Sequence, residues 1–322
     1  MADYKTLHGT HIEAVASDPS NPVNGQVWYN TASDVLKGFT SNPTGAWAAG
    51  NNLNSARRQA AGGGIQTSAL LFGGYITAKQ DITESYNGTN WTEKNDLNVE
   101  RNLLAGCGAS NTAGLAFGGL SPADPATVGI TELFNGTNWT EVADLNTARR
   151  STYGAGTSTA ALLAGGYVSS ARDETEIYNG TSWAETADLN TARWVYAAAG
   201  TSTSGLLFGG EPGSGVTGNT ESWNGTSWTE VADLNTGRSN HGGLGADNTA
   251  VLAFGSEGVA INEKWNGTSW AEVANLNTAR HQVKGAGTTT AGLAFAGYDT
   301  AASASTEEWN EPVEATVTFD AS

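Results

Sequence analysis

The chain has 322 residues, of which 42 are glycine and only 15% are charged, so it is richer in glycine and poorer in charge than an average globular protein. Its formal net charge of −17 at pH 7 repels phosphate and anionic lipid, which excludes nucleic acid and acidic membrane surfaces as expected partners. The single cysteine, Cys107, excludes an internal disulfide framework, and no apolar run reaches the 18 residues of a membrane span.

The first 34 residues are predicted to form an N-terminal arm. They begin with MADYKTLHGT, which lacks the apolar core of a signal peptide, so we expect synthesis in the cytoplasm without export by that route. The arm carries His8 and His11. Soon after it, the segment Thr44–Trp47 is a relaxed copy of a motif that then recurs along the chain.

From Trp47 onward the chain is an internal repeat with a period of 42 to 48 residues. The segment Asn-Gly-Thr-(Asn/Ser)-Trp recurs five times after the relaxed copy, and an arginine stands ten residues after each tryptophan. The tryptophans are Trp47, Trp91, Trp139, Trp183, Trp228 and Trp270, and the arginines are Arg57, Arg101, Arg149, Arg193, Arg238 and Arg280. A period in the forties built from short strands is typical of β-propeller blades of four strands each.

Each repeat predicts four strands in the same order. Strand a follows the arginine and is rich in glycine and alanine, as in Ser151–Gly156, and its small side chains fit a crowded ring around a central channel. Strand b is an apolar run that ends in Gly-Gly, as in Leu207–Gly210. Strand c carries Thr-Glu-x-aromatic-Asn, and strand d carries the tryptophan. The Asn-Gly between strands c and d predicts a type I′ hairpin turn.

The two ends of the repeat array predict how it closes. Trp47 gives a strand d that precedes the first arginine, and Glu307 gives a strand c with no tryptophan after it. Pairing these two ends makes a sixth blade and removes two exposed strand edges. The sequence therefore predicts an all-β, six-bladed propeller over residues 35–310, closed by an N-terminal strand, with an arm at 1–34 and a tail at 311–322.

The repeat resembles the kelch β-propellers over roughly residues 40 to 310. That family has an arginine at the start of the blade, Gly-Gly at the end of strand b, Glu-x-aromatic in strand c and a tryptophan in strand d. Two features depart from it: Asn-Gly replaces the usual Asp-Pro, and the histidine three residues after the arginine occurs only as His241. The resemblance implies a kelch-like propeller.

Two segments are also similar to structural proteins of marine bacteriophages. Repeat units such as WNGTSWTEVADLNTAR are similar to those of kelch-like phage structural proteins. Residues 22–30 (PVNGQVWYN), followed by Leu36–Phe39, are similar to a short module of phage tail and appendage proteins. This resemblance implies a virion location and an N-terminal arm that binds other virion proteins.

Length variation is concentrated between strands b and c. The spacing from glutamate to tryptophan is always 7 residues, whereas the spacing from the Gly-Gly end to the glutamate ranges from 7 to 13, and segments 120–130, 167–175 and 211–220 differ in character. The b-to-c and d-to-a loops share one face of a propeller blade, so this face is the predicted contact surface, with tolerated insertions as the alternative. The predicted contact residues are Tyr75, Lys79, Leu120, Asp124, Tyr167, Arg172, Asp173, Glu211, Glu257, Tyr298 and Asp299.

No convergent set of catalytic, cofactor-binding or metal-binding residues emerges from the sequence. His241 and His281 have no cysteine or histidine at metal-ligand spacing, and Cys107 is interpreted as a small packed residue of a strand a. The six repeated arginines could bind an anion, but pairing with the repeated glutamates or with loop carbonyls is the favoured interpretation. The Asn-Gly-Thr sequons are interpreted as hairpin turns rather than glycosylation sites.

The favoured function is a non-enzymatic bacteriophage virion protein. In this hypothesis it is a tail fibre or appendage subunit whose propeller loops bind a host-surface glycan or protein, and a homo-oligomer is compatible with the role. The alternative is a structural subunit, a capsid decoration or tail protein that docks other virion proteins. A carbohydrate-active enzyme is the least favoured hypothesis.

Overall fold

A computed structural model describes residues 12–20, 25–40, 45–122, 127–311 and 315–319, and every regular element in these ranges is a β-strand. No helix in the described ranges has the length and apolarity needed to cross a membrane. Strands β1 to β4 are Glu13–Val15, Val27–Asn30, Val35–Thr40 and Ala46–Ala49. Strands β5 to β16 are Ala61–Ile65, Ser68–Phe72, Thr83–Tyr86, Trp91–Lys94, Ala105–Ser110, Ala113–Phe117, Thr131–Phe134, Trp139–Val142, Gly154–Thr157, Ala160–Tyr167, Ala171–Tyr178 and Trp183–Glu185. Strands β17 to β28 are Ala197–Gly200, Gly205–Phe208, Thr220–Trp223, Trp228–Val231, Gly242–Asp247, Ala250–Ser256, Val259–Trp265, Trp270–Val273, Lys284–Gly287, Ala291–Phe295, Thr306–Asn310 and Ala315–Phe319.

Residues 46–310 form one compact unit that contains six four-stranded antiparallel sheets. Five of them are built from four consecutive strands, β5–β8, β9–β12, β13–β16, β17–β20 and β21–β24. The remaining sheet has the order β25-β26-β27-β4, so its fourth strand comes from the start of the unit. Trp47 of β4 lies opposite Trp309 of β27, which is the pairing that the two incomplete ends of the repeat predicted.

The strands at the two ends of the chain belong to a second compact unit, residues 1–45 and 311–322. They form a sheet of order β1-β2-β3-β28, in which β1 and β2 are parallel. The Asp18 carboxylate accepts hydrogen bonds from Lys37, Asn30 and Trp28, and these bonds lower the pKa of Asp18 to about 2. The sequence prediction separated an arm at 1–34 from a tail at 311–322; in the structure β3 pairs with strands from both, so this unit extends to residue 45.

The first strand of each sheet in the 46–310 unit contacts the first strand of the next. The contacts run from β5 through β9, β13, β17 and β21 to β25, and β25 contacts β5. Their backbones approach closely: a Cβ atom on Gly63 would lie 2.7 Å from the backbone nitrogen of Gly108. A Cβ atom on Gly285 would lie 2.3 Å from the carbonyl oxygen of Gly243. This close approach explains why strand a is built from glycine and alanine.

A tryptophan of strand d joins each of five sheets to the sheet before it. The indole of Trp139 lies 4.9 Å from the ring of Phe72 between centroids, and its Nε1–H donates to Thr83 Oγ1 at 3.0 Å. The same indole-to-threonine bond recurs at Trp91, Trp183, Trp228 and Trp270. The bond ties a large buried aromatic to one rotamer and satisfies its only donor.

The repeated arginine pairs with the glutamate of its own repeat. Both side chains are buried, and the glutamate also accepts two bonds from an asparagine three residues before the arginine. In one repeat, Asn146 donates its backbone N–H at 2.8 Å and its side-chain amide at 2.9 Å to Glu176, the partner of Arg149. The six pairs are Arg57–Glu84, Arg101–Glu132, Arg149–Glu176, Arg193–Glu221, Arg238–Glu263 and Arg280–Glu307. The structural interpretation of the arginines is therefore confirmed.

The hairpins between strands c and d differ from the predicted type I′ turn. Tyr86 pairs with Trp91, so the connection has four residues rather than two. Gly88 has a φ of 88°, but Asn87 is not among the residues with positive φ. The Asn87 side-chain oxygen instead accepts the backbone N–H groups of residues 89 and 90. The prediction was wrong because asparagine acts here through its side chain and not through a left-handed backbone.

Deletion of residues 306–322 tests the pairing of β4 with β27. The deletion removes β27 and exposes two strand edges and the Trp47 indole, and loss of one large core aromatic alone costs ~3 to 5 kcal/mol against a typical domain stability of ~5 to 15 kcal/mol. We expect the cooperative thermal transition of the 46–310 unit to disappear. Deletion of residues 312–322 is the control, because β28 pairs with β3 and, among the described residues, with no strand of the 46–310 unit. If the longer deletion melts like the control, the pairing does not hold the unit together.

Candidate functional site

One surface of the 46–310 unit forms where the chain enters strand a and leaves strand b. Single β-bridges join the two connections in five of the six sheets, at Arg58–Tyr75, Asn102–Leu120, Arg150–Tyr167, Trp194–Glu211 and His281–Tyr298. We call the surface formed by these pairs and the b-to-c connections the loop face. The d-to-a and b-to-c connections therefore meet on one surface, as the sequence analysis expected.

The first cluster on the loop face is an arginine held between two tyrosines. The Arg58 guanidinium carbon lies 4.6 Å from the ring centroid of Tyr298 and 5.3 Å from that of Tyr75. The His281 ring lies 5.2 Å from Tyr298 on the same cluster. All four side chains are half-buried, so each keeps part of its surface accessible.

A second cluster joins two adjacent sheets. The Arg150 guanidinium lies 5.0 Å from the ring of Tyr167, whose ring lies 5.0 Å from that of Trp194 in the next sheet. These three side chains are also half-buried. Rigid aromatic rings beside guanidinium groups offer flat apolar faces and charge-assisted donors on one surface.

Exposed apolar side chains occur at the tips of three b-to-c connections. Ile76, Val168 and Val216 are 37%, 36% and 55% exposed. Within the described part of the same unit, the other large apolar side chain with comparable exposure is Ile65, at 47%, which lies in an a-to-b hairpin at the opposite end of its strand. The loop face thus combines a partly buried aromatic and cationic centre with exposed apolar tips.

Several predicted contact residues serve the connections themselves. The Lys79 amine donates to the Ser121 carbonyl of the next sheet at 2.7 Å, next to Leu120. Glu211 accepts a bond from the Ser239 hydroxyl at 2.9 Å. The Asp299 carboxylate accepts the backbone N–H groups of the two residues after it, and these bonds lower its pKa. Glu257 is exposed.

Four predicted contact residues do not occupy a described loop position. Asp124 lies outside the described residues. Tyr167, Arg172 and Asp173 were expected on a loop but lie on β14 and β15, which leaves only 168–170 as the connection. The prediction missed this because these two strands extend past a bulge beyond Ala164. Arg172 forms an ion pair with Glu174, while the Asp173 side chain is exposed.

A ring of six residues with left-handed backbone lines one cavity of the 46–310 unit. One residue in each of the six repeats, two positions after the arginine, has a φ between 49° and 55°. Each of the last five donates its backbone N–H to the carbonyl of its counterpart in the preceding sheet, at 2.5 to 3.0 Å. The ring consists of Gln59, Leu103, Ser151, Val195, Asn240 and Gln282. Sequence reasoning missed it because these residue types share no pattern and glycine is not among them.

The first strands of the six sheets surround a central space, which we call the channel, and two large side chains meet inside it. The fourth residue after each arginine is alanine or glycine in four repeats, but Tyr153 and Lys284 in the other two. The Lys284 amine lies 3.9 Å from the Tyr153 ring centroid, and the Tyr153 hydroxyl donates to the Val283 carbonyl at 3.2 Å. Burial lowers the pKa of Lys284 to about 7 and raises that of Tyr153. Tyr153 lines a cavity on each side of this contact.

Two further side chains that the sequence analysis considered for nucleophilic or metal-binding chemistry, Cys107 and His241, are both buried. Cys107 is buried on β9, donates to the Thr157 carbonyl, and burial raises its pKa. His241 is buried against Gly209 and Phe208, and burial lowers its pKa well below the usual range. Among the described residues, no group of three or more histidine, cysteine, aspartate or glutamate side chains could hold a metal ion.

Comparisons with known proteins identify the fold. No protein-family model matches the sequence, and no curated protein matches it. Many solved structures do, and one of them, described as the structure of YjhT, aligns with a TM-score of 0.68 at 9% sequence identity, covering 84% of this chain and 99% of that chain. The chain has a β-propeller fold. At this low identity the similarity shows the propeller architecture and carries no information on the chemistry of the loop face.

Val195→Asn tests whether the left-handed ring stores strain. Val195 has a φ of 49°, in the left-handed region. This conformation destabilises a β-branched residue by roughly 1–2 kcal/mol, and asparagine tolerates it better. The same ring position is asparagine in the next sheet. We expect the substitution to raise the free energy of unfolding by about 0.5–1 kcal/mol in urea denaturation. Val231→Asn, on the extended strand β20, should lower it, and equal losses at both sites would refute the strain.

Proposed function

We propose that the six sheets of the 46–310 unit are the six blades of a kelch-like propeller. Three features support this: six four-stranded sheets, a cycle of contacts among their first strands, and the Arg, Gly-Gly, Glu and Trp positions of the repeat. In this arrangement the loop face surrounds one mouth of the central channel, and the a-to-b hairpins surround the other.

We further propose that the protein is a non-enzymatic bacteriophage virion component, a tail fibre or appendage subunit that binds a host-surface glycan or protein. The observation that carries the binding role is the loop face, where Arg58 and Arg150 lie against tyrosine rings beside exposed apolar tips. Aromatic faces pack on the C–H faces of sugars or on apolar side chains, and guanidinium groups supply directed donors. The phage assignment rests on the similarity of the repeats and of residues 22–39 to phage structural proteins.

The distribution of charge also favours a contact role for this surface. The chain carries a net charge of −17, which repels acidic surfaces at long range. Arg58, Lys79, Arg150 and Arg172 nevertheless all lie on the loop face. The carboxylates of Asp173, Glu211, Glu257 and Asp299 share this face, so a partner meets both signs of charge there, which suits directed polar contacts.

The second candidate is a structural subunit that docks other virion proteins, and the sheet of the terminal unit favours it. This sheet ends in β1 on one side and β28 on the other, and the described residues place no further strand beside either one. Strand edges of this kind can accept a strand from another chain. In both candidates the N-terminal region attaches to the virion; they differ in what the loop face contacts.

Serine substitutions at the loop tips test the adhesion role. The triple variant Ile76→Ser, Val168→Ser and Val216→Ser removes exposed apolar groups, so stability should change by less than ~0.5 kcal/mol per site. On an array of bacterial surface polysaccharides and host-cell envelope proteins, we expect the parent to bind. Each lost anchor should weaken binding by roughly 1 kcal/mol, more than tenfold in total, and avidity increases this difference.

Ile65→Ser is the matched control for these variants. It removes an apolar group of similar exposure from an a-to-b hairpin, away from the loop face. Binding by the control should equal that of the parent. If the triple variant also binds like the parent, the loop tips do not mediate adhesion. If neither protein binds any array position while the terminal unit captures virion proteins, the structural candidate replaces the adhesion candidate.

A further inference from the structure

A small cavity lies between the left-handed ring and the contact of Tyr153 with Lys284. It has a volume of about 40 Å³ and is lined by residues of all six sheets. The lining residues include Gln59, Asn240 and Gln282. A space of this size holds only a few non-hydrogen atoms, since a single water needs roughly 10–15 Å³ by the same measure.

Lys284 enters this cavity without a counter-charge. The residues that line it include no aspartate or glutamate, and no hydrogen bond or ion pair joins the Lys284 amine to another described residue. The amine lies instead over the face of the Tyr153 ring, which attracts a cation but carries no net charge. The Lys284 side chain is half-buried, so it loses part of its hydration, and no carboxylate of the cavity lining replaces it. An anion in the cavity would supply the counter-charge that these residues do not.

The other titratable groups around the cavity keep one charge state near neutral pH. Tyr153 and Tyr196 line it, and burial raises the pKa of both, so they stay neutral. His241 also lines it, and burial lowers its pKa well below the usual range, so it stays neutral above pH 6. Lys284 is the lining group whose charge changes between pH 6 and pH 9.

We propose that this cavity binds a small monovalent anion, of the class that includes chloride and formate, with the Lys284 ammonium as its counter-charge. The nearby amide side chains are of the type that donates hydrogen bonds to an anion. When the amine is neutral, binding is coupled to the uptake of one proton from solvent, which forms the third N–H bond of the ammonium, and the anion itself is held without a covalent bond. This site is independent of the adhesion role, because it lies in the channel and not on the loop tips.

The proposal predicts how anion affinity depends on pH. Burial lowers the pKa of Lys284 to about 7, so the anion-free protein carries the ammonium in about 90% of molecules at pH 6 and in about 1% at pH 9. We expect chloride affinity to be about a hundredfold weaker at pH 9 than at pH 6. Isothermal titration with sodium chloride in a sodium gluconate background of constant ionic strength measures this ratio, because gluconate is too large for the cavity.

Three variants locate the effect. Lys284→Met removes the charge and should abolish chloride binding at both pH values, whereas Lys94→Met, on an exposed position of β8, should bind like the parent. Lys284→Arg keeps its charge at both pH values, so its affinity should be nearly independent of pH.

The ratio of chloride affinities of the parent protein at pH 6 and pH 9 requires no variant, so it decides the proposal even if a substitution prevents folding. Equal affinity at pH 6 and pH 9, binding retained in Lys284→Met, or no chloride binding by the parent at pH 6 would overturn the proposal.

Discussion

The buried pairing of arginine with glutamate is the interaction on which the propeller unit depends. After strand d of one sheet, the chain crosses to the next sheet and buries an arginine side chain there. The glutamate on strand c of that second sheet pairs with the arginine. The carboxylate also accepts the backbone and side-chain N–H groups of an asparagine on the same crossing. A buried carboxylate without these partners would be costly, so the crossing segment has one favourable position, and this fixes how successive sheets are joined.

That constraint explains the division between uniform and variable parts of the molecule. The Arg–Glu pairs, the Trp–Thr bonds and the contacts of the glycine-rich first strands repeat in nearly every sheet, and they hold the backbone of each repeat in place. The ends of the b-to-c connections take part in them, since the carbonyls of Ile130 and Asn219 accept bonds from the paired arginines, but the tips of these connections do not. Their length and composition can therefore change without loss of the core, which leaves the loop face free to carry contact residues. The channel residues Tyr153 and Lys284 are a similar variation at one position of the repeat, where the other four repeats have alanine or glycine.

The sequence predicted the strands and their pairing because these depend on side chains that recur at fixed spacing. The Trp47–Trp309 pairing followed from a missing tryptophan and a missing arginine at the two ends, and the Arg–Glu pairing followed from their joint recurrence. The left-handed ring, the position of Tyr167 on a strand and the Tyr153–Lys284 contact could not be predicted. The first is a backbone conformation that Val195 and Gln282 share without any common side-chain property. The others depend on strand length and on distances across the channel, which periodicity does not encode.

A double-mutant cycle at Arg101 and Glu132 tests the central role of the buried pair most directly, because no second carboxylate of the described residues lies within ion-pair distance of Arg101. We expect Arg101→Met and Glu132→Gln each to lower the free energy of unfolding by about 3–5 kcal/mol, because each leaves a buried charge without its ion-pair partner. The double variant should lose clearly less than the sum, with a coupling of about 2–3 kcal/mol in urea denaturation. If the two losses are small and add within ~0.5 kcal/mol, the pair does not hold the sheets together.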